Sequence, residues 1–341
     1  MHQPRVCIVR LGAFGDIVHT LPLAADLAAA GWLVDWLCED RWADLLRGSP
    51  AIDRLHLLPR GAWRRAGTPL HRKRRDLRRL MTGIRRQRPD AVIDAQGLAK
   101  SAVLARMTGL RPVVGHRPPR AREGSRLLHD LHAPSQATHV IDQQRALALP
   151  LLGRAHPGGD WCFPLPIWPQ QQEGIDGWFQ AQGLRAPWAL NVGAGWVSKR
   201  WPAMRQTTFL QACLEAGQRP LIVWGGRSEH EEARELQRAV PGSVLAPATD
   251  LPGLACLLRR CAVLVSADTG PLHLARALGT PAVGLFGPVP AERNGVRGRY
   301  WCNLGAPGAA AWERHDPSRT HMDRITVAAV MDACRRVTGR A

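Results

Sequence analysis

A short apolar run that leads into an Asp-Thr-Gly-Pro turn constrains the fold of this chain more than any other feature. Residues 262–265, Ala-Val-Leu-Val, have the composition of a strand buried in a parallel sheet. A helical pattern begins at Pro271, a residue that suits a first helical position, and Asp268 or Thr269 can cap that helix. The sequence therefore predicts a strand, a turn through Gly270 and a helix whose first N–H groups point into a crevice, a geometry that binds phosphate.

The chain begins with a similar unit. Residues 5–10 have the pattern of a strand, residues 11–16 form a glycine-containing turn, and residues 17–30 have mostly helical spacing. Pro22 leaves the helix start open, because a regular helix could begin there. The turn is Gly-x-x-Gly-Asp, not the Gly-x-Gly-x-x-Gly of dinucleotide-binding proteins. It places Asp16 at the mouth of a crevice, although by position alone a helix N-cap is the stronger interpretation of this residue.

These two units predict two doubly wound α/β domains. Between residues 154 and 172 regular structure gives way to Pro and Gly, and the strand–helix pattern starts again after them. We therefore expect an N-terminal domain over residues 1–165 and a C-terminal domain over residues 166–341. A length of 341 residues suits two domains of ordinary size.

Four loops of the second half follow predicted strands and carry polar residues or glycines. They contain Lys199, Glu229, residues 268–273 and residues 287–288. Because parallel strands end at the same edge of a sheet, we expect these loops to converge on one binding site. The predicted helix start and Lys199 suit a diphosphate, and Glu229 could accept hydrogen bonds from ribose hydroxyls.

The first domain could supply the chemistry of a two-substrate transfer. A carboxylate at Asp16 could deprotonate an acceptor hydroxyl as a general base. Helix dipoles and Lys199 would stabilise a departing nucleoside diphosphate. The sequence contains no Asp-x-Asp motif, so a metal-bridged diphosphate is not indicated.

The net charge of +18 favours an anionic partner, which could be a phosphorylated substrate, an anionic membrane or nucleic acid. Twelve Arg or Lys residues lie between residues 60 and 88, together with an apolar stripe at helical spacing. This segment predicts a basic amphipathic helix that suits a membrane surface or phosphorylated headgroups, while a solvated helix face accounts for many of the same arginines. Nucleic acid is the weaker alternative, since the sequence has no helix-turn-helix, zinc or ribonucleoprotein pattern.

Three features of the sequence predict a cytoplasmic protein. No apolar run reaches about 18 residues, the length of a membrane-spanning helix. The first residues lack the apolar core of a signal peptide. The eight cysteines include no Cys-x-x-Cys pair, so neither a zinc site nor a disulfide framework is indicated.

Five motifs together make the chain resemble a known family. They are Gly12-x-x-Gly15-Asp16 with His-Thr-Leu-Pro at 19–22, Ile-Asp-Ala-Gln-Gly-Leu-x-Lys-Ser at 93–101, Ser-Lys-x-Trp-Pro at 198–202, Gly-Gly-x-x-Glu at 225–229 and Asp-Thr-Gly-Pro-x-His at 268–273. In this order they resemble glycosyltransferase family 9, the ADP-heptose:lipopolysaccharide heptosyltransferases. Residues 94–101, and Ala-Arg-Glu at 121–123, favour the heptosyltransferase I branch.

The resemblance implies the GT-B fold, in which two Rossmann-like domains face a central cleft and the last helix packs back on the N-terminal domain. It also implies an inverting transfer of heptose from ADP-heptose onto a Kdo residue of the lipopolysaccharide inner core. Asp16 would be the general base. The donor is a substrate, and neither a cofactor nor an obligatory metal is implied.

The resemblance further implies which residues bind the donor. They would be Ser198, Lys199, Glu229, Asp268, Thr269, Gly270 and His273. Lys199 and the turn at Thr269 would hold the diphosphate and Glu229 the ribose, while Asp268 would contact the heptose hydroxyls. His273 could be a diphosphate donor or a structural helix residue.

The acceptor implied by the resemblance is an anionic, lipid-linked Kdo sugar. Its binding residues would be Thr20, Arg64, Arg65, Gln96, Lys100 and Arg122, with Arg64 or Arg65 on a phosphate. Such an acceptor is anionic and lies in a membrane, which would explain the many basic residues between 60 and 88. We expect a peripheral protein on the cytoplasmic face of the inner membrane that does not bind nucleic acid.

Two alternatives within the family stay open, because a sequence gives little information about the identity of the acceptor. They are heptosyltransferase II and a transferase that acts on another cell-envelope glycan, which the Arg-rich residues 70–88 could reflect. A short-chain dehydrogenase or epimerase would need a Tyr-x-x-x-Lys pair. The sequence excludes this class, since its one tyrosine, Tyr300, has Leu304 at the lysine position.

Overall fold

The computed structural model describes residues 3–65, 67–134, 136–153, 160–308 and 321–339. The chain divides into two compact units, Met1–Ile167 and Trp168–Ala341. The expected boundary lay at residues 165 and 166. Part of the expected linker, residues 154–159, falls outside the described residues.

The first unit is built on a parallel sheet, with six strands among the residues described. They are β1 (Arg5–Val9), β2 (Leu33–Glu39), β3 (Arg54–Leu58), β4 (Ala91–Asp94), β5 (Val113–His116) and β6 (Leu131–Ala133). Their order across the sheet is β3-β2-β1-β4-β5-β6. The central strands are buried on both faces, as continuous apolar runs predict.

Helices connect these strands or follow the last of them. They are α1 (Phe14–Ala29), α2 (Ala43–Leu46), α3 (Arg60–Arg64), α4 (Leu70–Arg86), α5 (Ala99–Met107), α6 (Val140–Arg145) and α7 (Leu149–Leu152). The uncertainty at Pro22 is resolved, because α1 begins at Phe14 and continues through the proline. Burial of Leu21, Leu23 and Leu27 on this helix offsets the hydrogen bond that a proline lacks.

The second unit repeats the architecture. Its described strands are β7 (Trp188–Asn191), β8 (Leu221–Val223), β9 (Val244–Leu245), β10 (Val263–Ala267), β11 (Ala282–Phe286) and β12 (Trp301–Gly305). All pairings are parallel, in the order β12-β11-β10-β7-β8-β9. The edge of this sheet is the half-buried β12, which pairs with β11 and which the sequence analysis did not identify.

The helices of the second unit flank its sheet. They are α8 (Pro169–Ala181), α9 (Ala203–Glu215), α10 (Gly226–Ala239), α11 (Leu251–Arg259), α12 (Gly270–Leu278), α13 (Ala291–Asn294) and α14 (Val327–Thr338). The last helix, α14, contributes Val330, Met331 and Cys334 to the core of this unit and packs on α9 and on β10 to β12. Its expected contact with the N-terminal domain stays a prediction.

Both sheets reverse their strand order at one place, between β1 and β4 and between β7 and β10. In an open parallel sheet the connections leave this position on opposite faces, and a crevice forms at the carboxyl ends of the two strands. The prediction of two doubly wound α/β units is confirmed. None of the helices within the described ranges combines the length and apolar character that crossing a membrane would need.

Candidate active site

The first crevice is a cavity of about 270 Å³ at the ends of β1 and β4. The charged and amide side chains that line it are Arg10, Asp16, Glu39, Arg41, Gln96, Lys100 and Arg122. Four of the predicted site residues, Asp16, Gln96, Lys100 and Arg122, are therefore brought together. Four cations face two carboxylates in this lining, so the cavity suits an anionic ligand.

Asp16 is not the N-cap of α1, as its position in the sequence had suggested, because Ala13 is the N-cap residue. Asp16 lies in the first turn of α1, where its carboxylate accepts a hydrogen bond from the N–H of Ala13 at 3.3 Å. The same oxygen, Oδ2, lies 2.6 Å from Nη2 of Arg10. With 44% of its side chain exposed, Asp16 remains accessible from the cavity.

Arg10 is a site residue that sequence reasoning missed. It directly follows β1 and is buried, with Nη1 donating to the carbonyl of Ala95 at 2.5 Å. Because this contact fixes the guanidinium, the ion pair holds the carboxylate of Asp16 in one orientation. The available signal was a charged residue immediately after a buried strand, at the edge where the turn begins.

The turn after β4 places the remaining polar groups of this cavity. Gln96 accepts a hydrogen bond at Oε1 from the N–H of Leu11, which links the two turns at the crevice. Gly97 has φ +71°, and a Cβ there would meet the Arg120 carbonyl at 2.9 Å, so only glycine fits. The carbonyl of Gly97 accepts from the N–H of Arg122 at 2.9 Å, which brings that residue to the cavity.

Three predicted acceptor residues lie outside the lining of this cavity. Thr20 is fully buried, and its hydroxyl donates to the carbonyl of Asp16 within α1 at 2.8 Å. Arg64 and Arg65 are exposed at the end of α3. The structure therefore places Thr20 inside a helix and the two arginines on a separate surface.

The surface that carries these two arginines extends over α4, the basic helix predicted from the sequence. We call it the basic surface and define it by eight of its exposed arginines, which are Arg64, Arg65, Arg72, Arg74, Arg75, Arg78, Arg79 and Arg86. The opposite face of α4 buries Met81 and Ile84 against the sheet. Asp76, the acidic residue of α4, accepts from Trp63 Nε1 at 3.2 Å. The predicted basic amphipathic helix is thus present.

In the second unit a buried carboxylate organises the crevice. Asp268 follows β10, and its Oδ2 lies 2.5 Å from Nζ of Lys199 while Oδ1 lies 3.1 Å from Nε2 of His273. Burial by itself would raise the pKa of Asp268, but the hydrogen bonds and charges of His273 and Lys199 hold the pKa well below its usual range. His273 is buried and turned towards this carboxylate.

Asn294 is a further contact that the sequence did not indicate. It ends α13, and its Nδ2 lies 3.3 and 3.4 Å from the two carboxylate oxygens of Asp268. The signal was weak, because the residue lies 26 positions away from its partner in a segment without a recognisable motif.

The predicted turn and helix follow Asp268. The helix α12 begins at Gly270 with Thr269 as its N-cap residue. The hydroxyl of Thr269 lies 3.2 Å from that of Ser266 and donates to the carbonyl of Ala267, so it is turned away from the helix N–H groups. The positive end of the helix dipole therefore lies at the turn where Asp268 and Lys199 meet.

Lys199 comes from a loop after β7. It ends the single helical turn Val197–Lys199, in which Ser198 is buried. Its ammonium lies 4.9 Å from the ring centre of the exposed Trp196, in addition to its contact with Asp268. The loop thus presents a cation and an aromatic ring at the crevice.

Glu229 lies in the first turn of α10. Its Oε2 accepts from the N–H of Gly225 at 2.7 Å, and burial raises its pKa, an effect that this hydrogen bond opposes. A Cβ at Gly193, in the loop after β7, would lie 1.9 Å from the carboxyl of Glu229. Sequence reasoning missed the need for glycine at this position; the signal was a glycine two residues after a buried strand.

Three comparisons with known proteins bear on these sites. Residues 77–317 match the model of glycosyltransferase family 9 (heptosyltransferase). The chain is 31% identical over 311 residues to lipopolysaccharide heptosyltransferase 1 of Pseudomonas aeruginosa, which covers 89% of this chain and 84% of the relative.

Solved structures are similar over nearly the whole chain. Escherichia coli heptosyltransferase WaaC with ADP is 25% identical, with a TM-score of 0.79 and coverage of 98% of this chain and 99% of the other. The same enzyme with ADP-2-deoxy-2-fluoro heptose has a TM-score of 0.76 over 96% of this chain and 98% of the other. These neighbours have the GT-B fold, in agreement with the two Rossmann-like units described above.

Proposed function

This chain belongs to glycosyltransferase family 9, and we propose that it transfers heptose from ADP-heptose, with inversion, onto a Kdo residue of the lipopolysaccharide inner core. One observation carries the proposal. Lys199, His273 and the start of α12 gather around Asp268 at the crevice of the second unit. A sugar linked to a diphosphate needs this combination of positive charge and a hydroxyl-binding carboxylate.

In this proposal the second unit binds the donor. Lys199 and the N-terminal turn of α12, with Thr269 and Gly270, receive the diphosphate. Glu229 accepts from the ribose hydroxyls, a role supported by its fixed position over Gly193. Asp268 accepts from heptose hydroxyls, with His273 orienting its carboxylate. Ser198 contributes by shaping the loop that carries Lys199.

The first unit binds the acceptor and starts the reaction. Lys100 and Arg122 neutralise the carboxylate of a Kdo sugar, and Gln96 donates to its hydroxyls. Asp16 takes the proton of the attacking hydroxyl while that oxygen bonds to the anomeric carbon. The bond from that carbon to the diphosphate breaks in the same displacement, so ADP leaves with both bonding electrons and the configuration inverts.

In this proposal, groups of the protein itself stabilise the negative charge of the departing diphosphate. Lys199 and the dipole of α12 stabilise it, so no metal is required. The described residues contain no group of three His, Cys, Asp or Glu side chains placed to hold a metal ion. Transfer that persists after chelation with EDTA would support this part, and transfer that needs added Mg²⁺ would contradict it.

We further propose that the protein works in the cytoplasm, on the cytoplasmic face of the inner membrane. The basic surface contacts anionic lipid headgroups beside the lipid-linked acceptor, because each basic residue near such a surface contributes about 1 kcal/mol. The triple variant Arg74, Arg75 and Arg78→Gln should bind phosphatidylglycerol vesicles about a hundredfold less tightly.

A matched control exists for this vesicle experiment. Arg227, Arg234 and Arg238 are exposed on α10 of the second unit, and their triple Gln variant removes the same charge. Equal losses in the two variants would contradict a specific lipid-facing surface. Salt-sensitive retention on DNA or RNA by the wild type would favour nucleic acid instead.

The central test measures transfer of heptose from ADP-heptose to Kdo-lipid A by the wild type and by Asp16→Asn. The variant should lower kcat by about a thousandfold, because it removes a general base while the size of the side chain is kept. Binding of ADP by the second unit should be unchanged. Wild-type ADP binding without transfer would overturn the acceptor assignment and point to heptosyltransferase II activity or another cell-envelope glycan.

A further inference from the structure

We propose that Asp94 and His129 form a buried pair that positions two loops at the first crevice. One is the turn after β4 that carries Gln96, and the other is the loop that carries Arg122. Neither Asp94 nor His129 lines the cavity. Asp94 ends β4, and its Oδ2 accepts from Nε2 of His129 at 3.0 Å, with both side chains fully buried. The pair connects residues 35 positions apart in the chain.

The carboxylate of Asp94 fixes the turn that follows it. Its Oδ1 accepts from the backbone N–H groups of Gln96 at 3.0 Å and Gly97 at 3.1 Å. These bonds hold the turn that presents Gln96 to the cavity and leads into α5, which carries Lys100. A buried carboxylate with three donors is a stable anchor, because each lost donor would leave a desolvated charge.

The same turn also holds the loop that contains Arg122. The carbonyl of Gly97 accepts from the N–H of Arg122 at 2.9 Å and from the hydroxyl of Ser125 at 3.1 Å. Glu123 accepts at Oε2 from the N–H of Ala99 at 3.1 Å, at the start of α5. A shift of the Asp94 turn therefore moves Arg122 as well as Gln96.

The absence of a side chain at Gly115 leaves space for the ring of His129. A Cβ at Gly115 would lie 2.1 Å from Nδ1 of His129, so the ring occupies the space that a side chain on β5 would take. Nδ1 is buried and has no hydrogen-bond partner among the residues described. A proton on Nε2 of this ring satisfies the pair, since it points at Asp94.

The test compares His129→Ala with a matched pair elsewhere in the same unit. His56 lies 3.0 Å from the buried carboxylate of Asp35, with the same atoms in contact. Asp35 lies near the start of β2, whereas the cavity is lined by Glu39 at its end. His56→Ala therefore removes an equivalent bond away from the crevice.

Two readouts decide the proposal, of which the kinetic one rests on the proposed function. His129→Ala should raise the KM for the Kdo acceptor about tenfold, with the KM for ADP-heptose and the affinity for ADP changed less than about twofold. His129→Gln should restore most of the loss, since its side-chain amide can donate to Asp94. His56→Ala should leave the acceptor KM unchanged.

The second readout is hydrogen exchange of the free protein, which needs no substrate. The amides of Gln96 and Gly97 should exchange about tenfold faster in His129→Ala than in the wild type or in His56→Ala. Unchanged protection of these amides, or equal effects of the two alanine variants, would overturn the positioning role. A wild type that transfers no heptose would contradict the proposed function, while the exchange experiment would still decide this inference.

Discussion

The two units have the same strand order, and each places an aspartate at its crevice, but the two carboxylates differ in burial. In the first unit the carboxylate is accessible and its cation is buried, because Asp16 is 44% exposed while Arg10 is 7% exposed. In the second unit both members are covered, with Asp268 at 4% and Lys199 at 14%. An accessible carboxylate can exchange a proton with a ligand, whereas a covered one acts as a fixed negative charge.

In the proposed function, this difference lets one fold serve two chemical tasks. In both units the aspartate stands at a crevice at the carboxyl ends of the first and fourth strands. What separates them is the position of the cation. Arg10 follows directly on β1 and contacts Asp16, whereas Lys199 comes from a loop and contacts Asp268.

Of the changes that test this comparison, removing the covering cation, Lys199, should have the largest effect. Lys199→Met should lower kcat/KM for the donor by about a hundredfold to a thousandfold, because in the proposed function it deletes one group that stabilises the departing diphosphate. It should also weaken ADP binding, since Asp268 would then repel the phosphates. Steady-state kinetics and calorimetric titration with ADP measure the two effects. Lys199→Arg, which keeps the charge, should retain much of the activity; an inactive Arg variant with a fully active Met variant would contradict the assignment.

Removing the buried cation of the first unit should have a smaller effect. Arg10→Met leaves the carboxylate of Asp16 in place but no longer fixed, so we expect kcat to fall about tenfold to thirtyfold. Single-turnover transfer measures this loss of orientation, and ADP binding serves as the control because it belongs to the second unit. A loss as large as that of Asp16→Asn would indicate that Arg10 does more than orient the base.

A substitution of Gly193 tests whether Glu229 binds the ribose in the crevice of the second unit. A Cβ at Gly193 would meet the carboxyl of Glu229, whereas a Cβ at Gly195 meets nothing within 4 Å. Gly193→Ala should therefore weaken ADP binding about fivefold to tenfold by displacing Glu229, at a cost of about 1 kcal/mol. Gly195→Ala is the matched control and should bind ADP as the wild type does. Equal affinities in the two variants would place the ribose elsewhere.

The smallest effect concerns stability and pH. The pKa of Asp268 is lower in the folded protein than its ordinary value, so the ionised group stabilises the fold above about pH 4 and this contribution is lost as the pH falls further. The free energy of unfolding should therefore differ most between the wild type and Asp268→Asn at pH 7, and the difference should shrink at pH 3. Urea unfolding at the two pH values measures it, and a difference independent of pH would show that Asp268 gains nothing from its partners.

Much of the fold could be predicted from local sequence patterns. Continuous apolar runs followed by glycine turns and helical spacing identified the strands β1 and β10 and the helix α12. The resemblance to glycosyltransferase family 9, and to heptosyltransferase I within it, is confirmed by the comparisons. The edge strand β12 was missed, because its half-buried composition lacks the continuous apolar run of the central strands.

The candidate site was predicted in part. Asp16, Gln96, Lys100 and Arg122 do meet in one cavity, because each belongs to a turn or loop at the ends of β1 and β4. The buried hydroxyl of Thr20 could not be foreseen in the same way. Helical spacing does not tell whether a threonine faces a ligand or bonds to the backbone one turn before it.

By itself, the sequence determined two doubly wound units and the turns that carry the acidic and basic groups, because these follow from hydrophobic periodicity and from the backbone freedom of glycine over a few residues. The tertiary structure decided which turns meet. The contacts of Arg10 with Ala95, Asp94 with His129 and Asn294 with Asp268 join distant segments. Such contacts depend on strand order and on the burial of charge, and no local pattern specifies either one.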